Sequence, residues 1–488
     1  MNKLKESLME NKLLILLFIL STTFFIYQHL TNFSWDFASY VLNSKYFIGK
    51  GFYYEHYRPP LMPLILSALS IFSWLLAEYI FIILASLLFF YTSVKLANSS
   101  GINKELFYLF SLTPFTLLHG FINGTELLSL ALLELFLIFT IKEKSYAGLF
   151  LGLAALTRYN FLIFLVLIFI NKDIKKIIKN VFFFLLPFIP WFIYNFQKTG
   201  NIFTSFADLY AIGFKFREYI NLQIDILDFL WISGFLILFA FIGIIVLIKN
   251  WKEKNKTSIL ILLICVLTLY QFYTTPLKVV RYLFPLALPL VYFSVLGINF
   301  IKKKSQKVFT ISLFIVLFSY SSVIPSLAIS TSKEEYQDAI SKLNELNIEE
   351  CRVFSNEWVM LNYLEKTTEI FPRKELLQNR IKEGGIIVLF SKTPEPEWAK
   401  DKNFLKKFPV LYESNKFIIL GEKGKCNPEE RIDKTYVELT SKEVNEIYNY
   451  TINTNPCFTL FDKKPLLEKT CNFVNFKEFK QDANRNFA

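Results

Sequence analysis

Histidine is scarce, with three in 488 residues. The five cysteines are spaced too widely, with too little histidine beside them, to build a zinc site. No Walker phosphate loop, no Rossmann glycine pattern, no HExxH and no GxSxG occurs, so soluble nucleotide or hydrolase chemistry has no support in the motifs. No small-residue cleavage site follows the first apolar run, and apolar segments continue to residue 327, which argues against a removed signal peptide. Acidic residues are outnumbered by basic ones, 41 to 53, for a net charge of +12. The lysines cluster in short loops between apolar runs, so the excess is a topology signal and implies no nucleic-acid partner.

What is abundant is apolar. The chain is 53% hydrophobic and 18% aromatic with a mean hydropathy of +0.38, beyond the range of a soluble enzyme of this size. It reads as a polytopic α-helical membrane protein. Stretches 12–30, 77–97, 105–120, 125–141, 145–157, 159–170, 180–195, 229–249, 257–273, 281–300 and 308–327 are about eleven candidate spans, several short enough to be tilted or to end in a cavity. With Met1 in the cytoplasm, basic loops 95–104, 142–144, 172–179, 249–256 and 302–307 all fall inside, provided 61–74 does not cross. That stretch is therefore expected to be an interfacial or re-entrant helix.

The same parity places four segments outside: a first loop at 31–60, then 196–228, 273–280 and everything after about 330. The expected division is a membrane domain over 1–329 and a soluble extracytoplasmic α+β domain over 330–488. Within the latter, Gly384–Phe390 and Lys416–Gly421 read as buried strands among amphipathic helices. Cys351, Cys426, Cys457 and Cys471 lie there, and Cys265 lies in a span. Two disulfides in any of three pairings, or free buried thiols, both fit. Asn449-Tyr450-Thr451 is an outward sequon.

Ionisable groups in or beside spans are costly, so each invites a role. Asp36 follows the first span in SerTrpAspPheAlaSerTyr; it is a helix N-cap or loop acid on the bland account. Its neighbours Trp35, Tyr40, Tyr46, Tyr53, Tyr54 and Tyr57 suit an interfacial belt or a sugar-binding wall. Arg58 precedes Pro59-Pro60, which hold it extended, ready to fork onto a phosphate or a lipid headgroup. Glu55 and His56 are candidate metal ligands or plain loop polarity. Glu126 opens a span behind Thr125, a candidate cap; Glu134, two turns deeper, is expected to bond to a neighbouring span. Arg158 lies at the apex of a short hairpin, and Lys278 and Arg281 at the outer start of another span. With Arg58, these basic groups would clamp a phosphate.

The order of these features carries a resemblance. An acid just after the first span, ArgProProLeu, ThrGlu opening a later span, GlyLeuAlaAlaLeuThrArg, ProTrpPheIleTyrAsnPheGlnLysThrGlyAsn and ArgTyrLeuPhePro occur in the order seen in GT-C membrane glycosyltransferases. The branch it resembles holds the protein O-mannosyltransferases and the lipid A aminoarabinose transferases, over residues 1–327. That resemblance implies transfer of a sugar from a polyprenyl-phosphate donor to an acceptor glycan, protein or lipid on the outer face. It matches Asp36 to the first-loop acid acting on the acceptor, Glu126 to the second acid, and Arg58 to the basic position before the family's proline. Asp36 is followed by Phe37 where protein mannosyltransferases have Glu, and Tyr57 stands where other members carry a metal-binding carboxylate. The Trp-Trp-Asp signature of oligosaccharyltransferases is absent.

A phosphate leaving group needs neutralisation rather than protonation, so Arg58, Arg158, Lys278 and Arg281 would serve the donor. Asp36 would act on the acceptor from the facing wall. Glu126 would orient the acceptor or help hold a divalent cation. One base and no nucleophile implies inversion. The rival class is a transporter or flippase of a lipid-linked or anionic substrate, which predicts inverted repeats and broken helices at the midplane. No internal repeat is visible in the sequence, and the charges gather at one face.

Overall fold

The computed structural model describes residues 11–426 apart from 212–233, 250–255, 275–279, 321–332 and the positions 33, 52, 72, 172, 201, 349–350, 373, 375–376, 394–396 and 423. Lys278, Cys457, Cys471 and the 449–451 sequon therefore lie outside the described residues, as does part of the stretch 229–249.

Among the described residues four helices are long and apolar enough to cross a bilayer: Lys12–Thr31, Trp74–Ser99, Lys256–Thr274 and Val280–Lys304. A bent pair, Ile174–Leu185 and Phe188–Lys198, makes a fifth if counted as one span. Shorter apolar helices at Ala147–Thr157, Tyr159–Ile170, Leu236–Lys249 and Gln306–Phe318 occupy other stretches read as spans. Two expected crossings are interrupted for local reasons. Stretch 105–120 divides into Lys104–Ser111 and Pro114–His119, because the Thr113 hydroxyl accepts the Thr116 N–H at 3.0 Å and Pro114 starts a new helix. Stretch 180–195 bends by 45° at Pro187, which has no N–H to continue the ladder.

The helix Leu61–Leu69 has nine residues, about 14 Å of rise against ~30 Å of hydrocarbon, so it does not cross. Upstream, part of the expected first loop is helical: Trp35–Phe47, with Phe37, Val41, Asn43 and Ser44 buried. Ser34 sits at its N-cap position in extended conformation, and its hydroxyl donates instead to Ile122 O at 2.8 Å.

Glu126–Ile141 is the central element, a sixteen-residue helix buried almost all round between Trp74–Ser99 and Ala147–Thr157. Glu134 accepts hydrogen bonds there from Thr92 at 2.5 Å and Ser93 at 3.0 Å, the neighbouring-span partners that its depth demands. At the far end, about 24 Å from Glu126, Lys176 meets Glu143 at 2.6 Å and Lys256 donates to Thr140 O at 3.2 Å. Three basic loops therefore gather opposite the end that carries Glu126.

The C-terminal region forms a mixed sheet. Strands β1 (Val353–Ser355), β2 (Glu369–Ile370), β3 (Ile386–Phe390), β4 (Val410–Glu413) and β5 (Phe417–Leu420) lie in the order β2-β1-β3-β5-β4. β1 pairs in parallel with β2 and β3, while β5 runs antiparallel to β3 and β4. β3 is buried along its whole length, as its IleIleValLeuPhe run requires. Cys351 and Cys426 form a disulfide across 75 residues, one of the alternatives open in the sequence.

Helices Leu236–Lys249 and Ala287–Lys304 touch backbone to backbone: a Cβ on Gly243 would meet Phe293 O at 1.9 Å, and one on Gly297 would meet Phe239 O at 2.1 Å. Gly297→Val should therefore destabilise the protein by about 1–3 kcal/mol, read as a lower thermal midpoint in detergent. Cys351→Ser should cost the C-terminal sheet about 2–4 kcal/mol, read as faster proteolysis there than in the spans.

Candidate active site

Asp36 lies in the first turn of Trp35–Phe47, where the helix's positive end favours an anion. Its carboxylate is shared: Oδ1 accepts from Arg58 Nη1 at 2.8 Å, and Oδ2 accepts from Arg281 Nη1. Arg58 donates Nε to Glu55 Oε2, and Glu55 Oε1 accepts from Tyr53 Oη. Asn43 holds this segment by a two-way bond to the Glu55 main chain, Nδ2 to O at 3.0 Å and Oδ1 from N at 2.7 Å. The Arg58 guanidinium also lies 5.2 Å from the Tyr40 ring centroid and 5.6 Å from that of Tyr57.

A second pair stands beside the first. Glu126 Oε1 accepts from Arg158 Nη1, while its Oε2 accepts from the Thr125 N–H at 3.2 Å. Thr125 does not cap the helix with its side chain; its hydroxyl oxygen accepts from Arg158 Nη1 at 3.2 Å. Arg281 is within electrostatic reach of both Asp36 and Glu126, and the buried Tyr40 phenol feels Arg58, Asp36, Arg158 and Glu126 together. The two pairs make one site.

Burial alone would raise the Asp36 pKa, but Arg281 and Arg58 overcome it and hold the carboxyl well below the usual carboxylate range. Asp36 is thus an anion and a poor base while both guanidinium groups remain on it. This corrects the expectation of two facing walls, because Asp36 and Arg58 are in contact. Arg281 keeps one buried donor, Nε, without a hydrogen-bond partner among the described residues.

Glu55 and His56 face different surroundings. Glu55 is taken by Tyr53 and Arg58, whereas the His56 ring packs 6.2 Å from Trp191 and 5.8 Å from Tyr54. No three His, Cys, Asp or Glu among the described residues could hold a metal ion. Among the described residues Glu55 and His56 therefore do not form a cation site with a third such ligand.

Of three supporting residues, Tyr40 and Tyr53 belong to the aromatic set named from the sequence, and Asn43 was not singled out. Tyr40 lies one turn beyond Asp36 on the same helix, a spacing that places both on one face. Asn43 and Tyr53 act through contacts that no spacing announces.

No family model matches the sequence, and no curated protein matches it. The structure does have solved counterparts. The crystal structure of ArnT from Cupriavidus metallidurans in the apo state aligns with a TM-score of 0.59 and 11% identity, over 85% of this chain and 99% of that one. The crystal structure of ArnT from the same organism bound to undecaprenyl phosphate aligns with a TM-score of 0.60 and 10% identity, over 86% and 100%. The fold is GT-C. It is the fold that the ordered motifs imply, and the chain spans essentially the whole length of both counterparts.

Burial holds the His56 pKa near 4, below its ordinary 6.5. The unfolded chain therefore takes up a proton below about pH 6.5 that the folded chain refuses, and stability falls as pH drops through that window. His56→Gln should lose less thermal stability than the wild type between about pH 7 and about pH 5. An equal loss would show that the ring is not shielded.

Proposed function

We infer that this chain transfers a sugar from a polyprenyl-phosphate-linked donor to an acceptor at the outer face of the membrane. The observation that carries the reading is the meeting of Arg58, Arg158 and Arg281, from three distant segments, with a buried donor of Arg281 still unused. The counterpart bound to undecaprenyl phosphate supports a donor of that class. The basic loops put the N-terminus in the cytoplasm, with about eleven membrane passes over 1–329. The C-terminal region is then extracytoplasmic, and its disulfide suits an oxidising compartment.

In the resting site three guanidinium groups are balanced by Asp36, Glu55 and Glu126. A donor phosphate entering against Arg281 and Arg58 draws them off Asp36, and the Asp36 pKa rises toward a value useful for a base. The acceptor hydroxyl then loses its proton to Asp36 as its oxygen bonds to the anomeric carbon. The bond from that carbon to the phosphate oxygen breaks, and polyprenyl phosphate leaves with its charge held by the arginines. A single displacement inverts the anomeric centre. Glu126, fixed by Arg158, orients the acceptor. Lys278, three residues before Arg281 in the sequence, is assigned to the same phosphate clamp. The acceptor is a surface glycan, protein or lipid.

Asp36→Asn in purified protein supplied with polyprenyl-phosphate sugars should lower turnover by about 10²–10⁴-fold. Polyprenyl phosphate should bind this variant as tightly as the wild type or more so, because both arginines are released. Full turnover in Asp36→Asn would remove the base assignment, and vectorial movement of substrate without transfer by the wild type would replace the enzyme with a transporter.

A further inference from the structure

The helix that bears Asp36 rests on the C-terminal region. A short helix, Trp358–Tyr363, packs against Trp35–Phe47. The Trp358 indole, 6% exposed, sits between Trp35 and Tyr53, with ring centroids 5.5 Å and 5.1 Å away. Both neighbours lead directly into the charge network. Trp35 precedes Asp36, and Tyr53 donates to Glu55, whose other oxygen takes Arg58 Nε.

Trp358 is itself held from behind. The Asn356 side chain pairs with both main-chain groups of Phe390, Nδ2 to O at 3.1 Å and Oδ1 from N at 2.8 Å, which ties the approach to Trp358 onto β3. At the other end of the short helix, Tyr363 Oη donates to Glu78 Oε2 at 2.8 Å, the oxygen that also meets His29 Nε2 at 2.7 Å. Lys45, on the Asp36 helix, reaches Glu365 at 3.5 Å. The contact is thus fixed on both sides, and a large ring with two torsions sets direction at little entropic cost.

Long side chains such as Glu55 and Arg58 have many rotamers, and their aim depends on what packs behind them. We propose that Trp358 is a positioning residue for the donor-phosphate site. It braces Tyr53 and Trp35 so that Glu55 and Asp36 present Arg58 in one orientation. The C-terminal region is on this account the back wall of the site rather than an appended module. The ligand named here rests on the transferase reading above; the bracing does not.

The test uses the full chain in lipid nanodiscs as wild type, Trp358→Ala and Trp358→Phe. Amide exchange is followed in 53–58, where Glu55 N donates to Asn43 Oδ1 and Arg58 N donates to Glu55 O at 3.2 Å. Affinity for a polyprenyl phosphate is measured on the same samples. Trp358→Ala should speed exchange in 53–58 by at least about tenfold and weaken polyprenyl phosphate about tenfold, with exchange in Glu126–Ile141 unchanged. Trp358→Phe should restore most of both. Wild-type exchange in 53–58 together with wild-type affinity in Trp358→Ala would overturn the proposal, as would a loosening that spreads equally into Glu126–Ile141. If the wild type binds no polyprenyl phosphate, the transferase reading fails, while the exchange comparison still decides whether Trp358 braces the site.

Discussion

Asp36 shared between Arg58 and Arg281 is the constraint on which the site depends. One carboxylate joins the first helical segment outside the first span to the start of a span 245 residues later. Buried charges of this kind contribute little net stability when complete, yet removing one partner leaves the others exposed to the full desolvation cost. The arrangement therefore enforces geometry more than it stabilises the fold. It also explains why the surrounding main chain is tied so thoroughly, by Asn43 at Glu55 and by Ser34 at Ile122.

A balanced network has a functional corollary. A site that held three guanidinium groups against no anions would bind any phosphate permanently or draw in lipid headgroups. On the proposed reading, matching them with Asp36, Glu55 and Glu126 would let a phosphate enter by exchange and leave by the reverse exchange. On that reading the same exchange would tune Asp36: Arg281 and Arg58 hold its carboxyl below the usual carboxylate range, and drawing them onto a phosphate would make it a better base.

Much of this was legible in the sequence because charge stands out in an apolar chain. Asp36, Arg58, Glu126, Arg158 and Arg281 each break a hydrophobic context, and the structure draws all five to one place. Who pairs with whom was not legible, since pairing depends on long-range packing. The Trp35–Phe47 helix was hidden because its buried face is made of Phe37, Val41 and Asn43, flanked by tyrosines that read equally well as an interfacial loop. Unbroken helices were expected where hydropathy ran on through a break, at Thr113-Pro114 and at Pro187. Glu134 was predictable in kind, because a carboxyl at that depth must be bonded, but Thr92 and Ser93 could not be named from spacing.

The 245-residue separation between Asp36 and Arg281 also orders events during synthesis. At ordinary elongation rates Arg281 emerges roughly 10–50 s after Asp36. Trp358 follows later still. Through that interval the first helices are already inserting while Asp36 lacks one of its two cations. Its partner Arg58, 22 residues away, is made well before Arg281, so the local ion pair is available before the long-range one. The site is complete only when the C-terminal region packs against Trp35–Phe47, one of the earliest helices made.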